Sequence, residues 1–306
     1  MPQVVFLLVP YIHLLDLAGP AQVFSTAADK GLDYRLSYVA EQEDVTTAQG
    51  ISLNTTIEWP DLKTEDLLVV PGWRWHHDAP GHTAGHPKIS AATARRIAEH
   101  HAGGGTVASV CAGAFALGQV GLLDGRRCTT HHALQNELAQ RHPRASVARD
   151  VLYVEDGRII TSAGIASGID LALHLVATRH GPGAAARVAR TMVVYTRRNG
   201  DEPQASAMLR HRAHMNDAVH RAQDLIDARY THSLPLAELA AAAGVGERTL
   251  TRHFTTATGH TPLRYQQELR LERAEHLISQ GATVESAAQT VGFQDARMLR
   301  RLRARH

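Results

Sequence analysis

The stretch Thr106-Val-Ala-Ser-Val110, followed by Cys111-Ala112-Gly113, constrains the fold of this chain more than any other. A β-branched apolar run ends at a cysteine, small residues follow, and Ala114-Phe-Ala-Leu117 continues with helical spacing. That is the pattern of a strand entering a sharp turn and then a helix, with one side chain standing on the turn. Only small neighbours fit so tight a bend. Such a turn offers a thiol of lowered pKa facing a helix N-terminus, or the mouth of a small-ligand site.

The same alternation recurs on either side. Residues 4–9, 34–40, 67–70, 106–110 and 158–162 read as strands, and the first is apolar throughout, as in a buried parallel strand. Residues 21–28, 88–101 and 169–178 read as helices. Pro20 is expected in the first turn of the earliest one, and Gly103-Gly104-Gly105 closes the second. Strands alternating with helices predict an α/β domain: a doubly wound, mostly parallel sheet with helices on both faces. Ligands bind beyond the carboxyl ends of such strands. Asp16, Gly72, Cys111 and Gly164 all follow strands, and so are expected to share one site. Tyr11, Trp73 and Trp75 follow strands too, and would wall a pocket suited to a small organic or cationic effector.

At 306 residues the chain is long enough for two domains, each with its own core. No apolar run approaches the roughly 18 residues that a membrane span needs. The opening Met-Pro-Gln-Val-Val lacks a basic region and reads as a first strand, not a signal peptide. The two cysteines, Cys111 and Cys128, are therefore expected to be reduced thiols in a cytoplasmic protein. Cys128 reads as a small core residue. The 20 histidines include His76-His77, His82, His86, His100-His101 and His131-His132, but their spacing matches no metal-ligand pattern. No metal and no cofactor is expected.

Charge divides unevenly. Residues 196–306 hold 16 arginines, no lysine and 12 acids, for a net +4, against −2 for residues 1–195. A basic C-terminal half points to nucleic acid. That half also repeats itself. Leu236-Ala-Glu-Leu239-Ala240, ending at Gly244-Val245, returns 48 residues later as Val284-Glu-Ser-Ala287-Ala288, ending at Gly292-Phe293. Each copy leads into a second helical stretch, 247–254 and 295–302, with arginine on its outer face. Helix, Gly-containing turn and helix form the helix-turn-helix pattern, whose second helix enters a DNA major groove. The polar, Gly- and Pro-bearing stretch near 197–204 reads as a linker. The expected division is 1–195, a linker at 196–213, and 214–306 as an all-α domain.

The residues of this second domain resemble the AraC/XylS DNA-binding domain. The likeness lies in Leu239-Ala, Gly244, Arg248-Thr-Leu250-Thr-Arg252-His-Phe254, Gly259-His-Thr-Pro262, Arg270-Leu-Glu-Arg-Ala274 and Val291-Gly292-Phe293. It implies two recognition helices in successive major grooves. Arg248, Thr251 and Arg252 would reach base edges from the first, and Arg297, Arg300 and Arg301 from the second. Leu250 and Phe254 are expected in the core. Two departures bear on the second unit. The chain stops just after the second recognition helix, without the family's closing helix, and Arg303 is expected where the first copy has Phe254. A second unit that binds backbone only, or is poorly ordered, is the expectation.

Residues 1–195 resemble the DJ-1/PfpI, glutamine-amidotransferase-like fold. The likeness rests on Leu15-Asp16-Leu-Ala-Gly19-Pro20, Pro71-Gly72, Val110-Cys111-Ala-Gly113, Gly121-Leu-Leu-Asp-Gly125, Thr129-Thr-His131, Thr161-Ser-Ala-Gly164 and Gly168-Ile-Asp170. Together the halves look like a GlxA-type transcriptional regulator. The resemblance implies an effector-sensing, dimerising domain, double-stranded DNA as partner, and contact with RNA polymerase. Its site would comprise Asp16, Gly72, Trp73, Cys111, Ala112, His131 and Gly164. Some members of the fold are enzymes with the elbow cysteine as nucleophile and an acid in the position of Asp16, so a Cys111-dependent hydratase or amidase is the alternative. Amides near Gly72 and Ala112 would then hold an oxyanion. Protease-type members carry a histidine beside the cysteine, where this chain has Ala112. A redox-sensing Cys111 is a further variant of the sensing role.

Overall fold

The computed structural model describes residues 2–74, 89–194, 198–204, 210–212, 214–279 and 281–304. The chain divides into two units, Met1–Gln204 and Ala205–His306.

In the first unit the apolar run at the start becomes β1 (Gln3–Leu8), paired in parallel on both edges, which is why Val4 to Leu8 are all buried. Its neighbours are β2 (Arg35–Ala40) and β5 (Leu67–Val70). The sheet continues through β6 (Thr106–Val110) and β10 (Ile159–Ser162) to β9 (Tyr153–Asp156), in the order β2-β1-β5-β6-β10-β9. All pairs are parallel except β10 with β9, an antiparallel edge. The small pairs β3 (Asp44–Thr46) with β4 (Ser52–Asn54) and β7 (Arg127–Cys128) with β8 (Ser146–Val147) lie outside it. The helices are α1 (Leu14–Asp29), α2 (Ala91–Ala102), α3 (Ala114–Gln119), α4 (Gln135–Arg141), α5 (Ser167–His180) and α6 (Pro182–Thr191).

One sequence expectation is corrected here. Pro20 lies inside α1, which starts seven residues before residue 21. A proline there forfeits a backbone hydrogen bond and crowds the preceding turn. Burial outweighs that cost, because Leu17, Ala21 and Phe24 form one buried stripe across the proline. Small residues bring α1 and α5 close: a Cβ on Gly19 would lie 3.0 Å from Ile169, and one on Gly168 would lie 3.3 Å from Pro20. Asp16 thereby stands in the first turn of α1.

Residues 198–204, read as linker, pack on this unit. Gly200 O accepts from Leu152 N (2.8 Å) and Tyr153 N (3.2 Å), and Arg198 Nε donates to the buried Asp170 carboxylate at 3.0 Å.

The second unit is helical: α7 (Asp217–Arg229), α8 (Leu236–Ala243), α9 (Glu247–Thr258), α10 (Pro262–Ser279), α11 (Val284–Thr290) and α12 (Ala296–Arg303). Two apolar clusters hold it. Val219, Ile226, Leu239, Leu250 and Phe254 form the first, and Ala287, Val291, Leu299 and Leu302 belong to the second. The long α10 serves both, with Tyr265 and Leu269 in one and Leu271 and Ala274 in the other. Gly244 and Gly292, 48 residues apart, take positive φ (69° and 86°) at corresponding turns. The expectation for Arg303 is overturned: the buried counterpart of Phe254 is Leu302, at the repeat's own offset, and Arg303 is exposed and pairs with Glu275 at 2.7 Å. Among the described residues no helix is long and apolar enough to cross a membrane.

Candidate functional site

Cys111 follows the last residue of β6 and takes φ 55°, a conformation that a residue with a side chain adopts only under constraint. A 3-10 turn, Cys111–Gly113, leads from it into α3. The bend needs Gly113, since a Cβ there would lie 2.0 Å from Val70 O. Thr130 Oγ1 braces the elbow from outside, donating to Cys111 O at 2.7 Å.

Two other strand ends and the first turn of α1 converge on this elbow. A Cβ on Gly72, just after β5, would fall 2.5 Å from Asp16 Oδ2, 2.7 Å from Cys111 Cβ and 2.9 Å from Ala112 N. A Cβ on Gly164, after β10, would fall 2.2 Å from Cys111 Cβ and 2.9 Å from Asp16 Oδ1. The five residues Asp16, Gly72, Cys111, Ala112 and Gly164 thus form one cluster. The two glycines supply the space into which the carboxyl and thiol fit.

Its electrostatics differ from the expectation. Asp16 is fully buried, and among the described residues no N–H or O–H donor reaches either carboxyl oxygen. Burial raises its pKa from 3.8 to about 7, opposed in part by a hydrogen bond with the Cys111 thiol. The thiol, expected to be acidified, is pushed well above its ordinary range. Burial is the main cause, the Asp16 carboxylate adds to it, and the Ala112 N–H opposes it only in part. Cys111 is 5% exposed, so neither a ready thiolate nor an open redox sensor stands here.

His131 follows Thr130, and burial together with His132 and His13 lowers its pKa to about 4, leaving a neutral imidazole. His13 stands at the N-cap position of α1 without a side-chain capping bond, and its backbone N–H donates to Gly72 O at 2.9 Å, which ties the Asp16 turn to the Gly72 turn. Trp73, expected as a pocket wall, is instead packed in the core, where it bridges to Ile12. Tyr11 is 41% exposed. Trp75 and the histidines at 76, 77, 82 and 86 lie outside the described residues. Sequence reasoning missed His13, for which only its nearness to Asp16 in the chain gave a signal, and the bracing role of Thr130. A surface cleft of about 490 Å³, lined by Trp59, Arg96 and His100, contains none of these residues.

On the second unit, Arg248 and Arg252 are exposed on α9 and carry no ion pair among the described residues. Thr251 turns back onto its own helix, donating to Glu247 O at 3.0 Å. The arginines of α12 are more engaged. Arg300 pairs with Glu285 of α11, Arg297 lies 3.7 Å from Asp295, and Arg301 donates to Met298 Sδ at 3.2 Å. Arg270 of α10 joins the two halves. Its guanidinium donates to Tyr230 O (2.6 Å), His232 O (2.8 Å) and Gly292 O (2.8 Å).

Comparison with known proteins places both units. Residues 2–178 match the DJ-1/PfpI family, and residues 239–306 match a helix-turn-helix domain. The HTH-type transcriptional regulator CdhR of Pseudomonas aeruginosa is 28% identical over 280 residues, spanning 90% of this chain and 80% of that protein. Isonitrile hydratase of Pseudomonas putida is 33% identical over 173 residues, 56% of this chain and 70% of that protein. A crystal structure of an AraC family transcriptional regulator from Pseudomonas putida superposes with TM-score 0.54 at 22% identity, covering 63% of this chain and all of that one. The chain belongs to the DJ-1/PfpI family and carries, after that domain, a helix-turn-helix domain of the AraC type.

Proposed function

We propose that this protein is a DNA-binding transcriptional regulator whose DJ-1/PfpI-type unit senses a small-molecule effector at the Asp16–Cys111 elbow. One observation carries the reading. Two helix-turn-helix units share α10, and the first presents Arg248 and Arg252 outward with, among the described residues, no carboxylate to neutralise them. Arginine bridges guanine O6 and N7 or binds phosphate, and both require an unpaired guanidinium. The match to a regulator across both halves supports it. DNA is the partner on this reading. The protein would act as a cytoplasmic homodimer through its first unit, with RNA polymerase as a further partner. The test is a gel shift with the DNA upstream of its own coding sequence. A salt-sensitive, sequence-specific shift is expected, and a shift equal on unrelated DNA would overturn the reading. For the effector, a ligand-screening melt should find a compound that stabilises the wild type more than Cys111→Ala.

A second reading, a Cys111-dependent hydratase or hydrolase, is favoured by the hydratase relative and by a carboxyl titrating near neutrality, which suits general acid–base work. The protonated, buried thiol counts against it, because the thiolate is the nucleophile. Cys111-dependent turnover of isonitrile, amide or α-oxoaldehyde substrates would establish it in place of a pure sensor.

A further inference from the structure

The second unit assembles a cluster that no sequence spacing announces. His211 precedes α7, His260 follows Gly259 at the end of α9, and Glu268 stands on α10. His211 Nε2 lies 3.1 Å from Glu268 Oε2, and His260 Nε2 lies 3.6 Å from Glu268 Oε1. One ligand atom from each residue falls within 4.8 Å of the other two. We propose that His211, His260 and Glu268 form a binding site for a divalent transition-metal ion of the Zn²⁺ type.

The donor set selects the ion. Two imidazoles and one carboxylate suit Zn²⁺ and its first-row neighbours, whereas Ca²⁺ and Mg²⁺ take oxygen donors. Tetrahedral bonds of about 2.0–2.2 Å set ligand atoms roughly 3.3–3.5 Å apart, and the three ligand atoms here, within 4.8 Å of one another, would draw together by side-chain rotation on binding the ion. The donors are held in place. The His211 ring stands edge-on to His260 (4.7 Å between centroids) and to Tyr265 (5.9 Å). The His211 and Glu268 side chains are only 11% and 12% exposed, and that of His260 is 31% exposed. The more open side, at His260, suits water as a fourth ligand.

One neighbour opposes the ion. Arg264 Nε lies 3.4 Å from Glu268 Oε1 and competes for the same oxygen. A bound metal would displace this guanidinium toward solvent. That competition separates a metal site from an ordinary ion-pair network, in which Arg264 would only stabilise. If the regulatory reading holds, the ion would also fasten the end of α9 to the segment ahead of α7. The metal site itself stands without that reading.

The experiment uses the full chain, stripped with EDTA and titrated with Zn²⁺ alone against a chromophoric chelator. Co²⁺ serves as the spectroscopic probe. Wild type should bind one equivalent more than His260→Ala, and the Co²⁺ complex should show the intense visible bands of a tetrahedral site. Glu268→Gln preserves size and should weaken Zn²⁺ binding by more than the roughly 10–100-fold that loss of an outer-shell partner costs. Arg264→Gln, at a half-buried position, should tighten binding severalfold, and the gain should be absent from Arg264→Gln combined with His260→Ala. Equal binding by wild type and the His211→Ala/His260→Ala double variant would overturn the proposal. So would an Arg264→Gln variant whose affinity is unchanged or weakened. DNA binding, read separately by gel shift, does not enter either outcome.

Discussion

Gly164 and Cys111 approach so closely that a methyl group on the glycine would lie 2.2 Å from Cys111 Cβ. Gly164 also holds φ +65°, so a side chain there meets backbone strain and a clash together. Gly164→Ala is expected to lose about 2–4 kcal/mol, from left-handed strain plus overpacking. Gly31→Ala is the control: its φ is +82° but nothing lies within 4 Å of the added carbon, so strain alone, about 1–2 kcal/mol, should remain. Urea denaturation of the two variants measures the difference, and equal losses would show that the elbow can relax.

Asp16 makes stability depend on pH. Its carboxyl titrates near 3.8 when unfolded and near 7 when folded, so the folded state holds its proton more tightly. Stability from this group is complete below pH 4 and is lost as pH rises toward 7. The shift corresponds to roughly 4 kcal/mol. Asp16→Asn removes the titration. Wild type should therefore fall relative to this variant by several kcal/mol between pH 4 and pH 8 in chemical denaturation, and parallel curves would contradict the assignment.

The strand-to-elbow run at 106–113 and the 48-residue repeat were legible because each is a local pattern of residue size and period. The alternation of strands and helices along residues 4–178 placed Asp16, Gly72, Cys111 and Gly164 after strands, and the sheet order then brought those strand ends together. What escaped depends on long-range surroundings. The direction of the Cys111 shift is set by burial against Asp16, 95 residues away in the chain. Pro20 lies inside a helix because a buried stripe on both sides outweighs its local cost. Leu302 rather than Arg303 fills the core because the repeat's offset governs packing, and one residue's slip along a helix changes the face. His211, His260 and Glu268 meet only through the folding of three separate segments.

Both thiols are expected to react slowly in the native protein. Burial raises Cys111 well above the ordinary thiol range and Cys128 to about 11, so neither is a thiolate at pH 8. Native protein should give almost no rapid thiol titration with a disulfide reagent, and two equivalents in denaturant. Removing the Asp16 charge lowers the cost of ionising its neighbour, so Asp16→Asn should speed modification of Cys111 but not of Cys128. Mass mapping of the labelled peptides checks this.

Arg252 and Arg300 should behave differently on DNA. Arg252 carries no ion pair among the described residues, and Arg252→Ala should cost about 1–3 kcal/mol of discrimination between specific and altered sites if it reads a base. Arg300 is paired with Glu285. Glu285→Ala should therefore strengthen binding on all sequences by up to about 1 kcal/mol, the scale of an exposed ion pair, and steepen the salt dependence. Fluorescence anisotropy across a salt series distinguishes the two.

Arg270 holds the two helix-turn-helix units in register. Its three donors reach carbonyls of two segments, Tyr230 and His232 after α7 and Gly292 before α12, and its guanidinium lies 5.6 Å from the Phe293 ring centroid. The segments are already tight, since a Cβ on Gly292 would lie 1.8 Å from Thr231 O. Lysine offers one compact ammonium on a flexible stem and cannot span three carbonyls, so Arg270→Lys leaves two of them without a charged donor. At about 1.5–3 kcal/mol per charge-assisted bond, partly recovered by water, the expected loss is about 2–4 kcal/mol of stability. The DNA readout is more telling than stability. Both local cores survive the change, so the α9 contact should persist while the α12 contact loses its fixed spacing. In a footprint, protection of one major groove should remain and that of the next should fade. Equal weakening of both grooves would assign Arg270 to general stability instead.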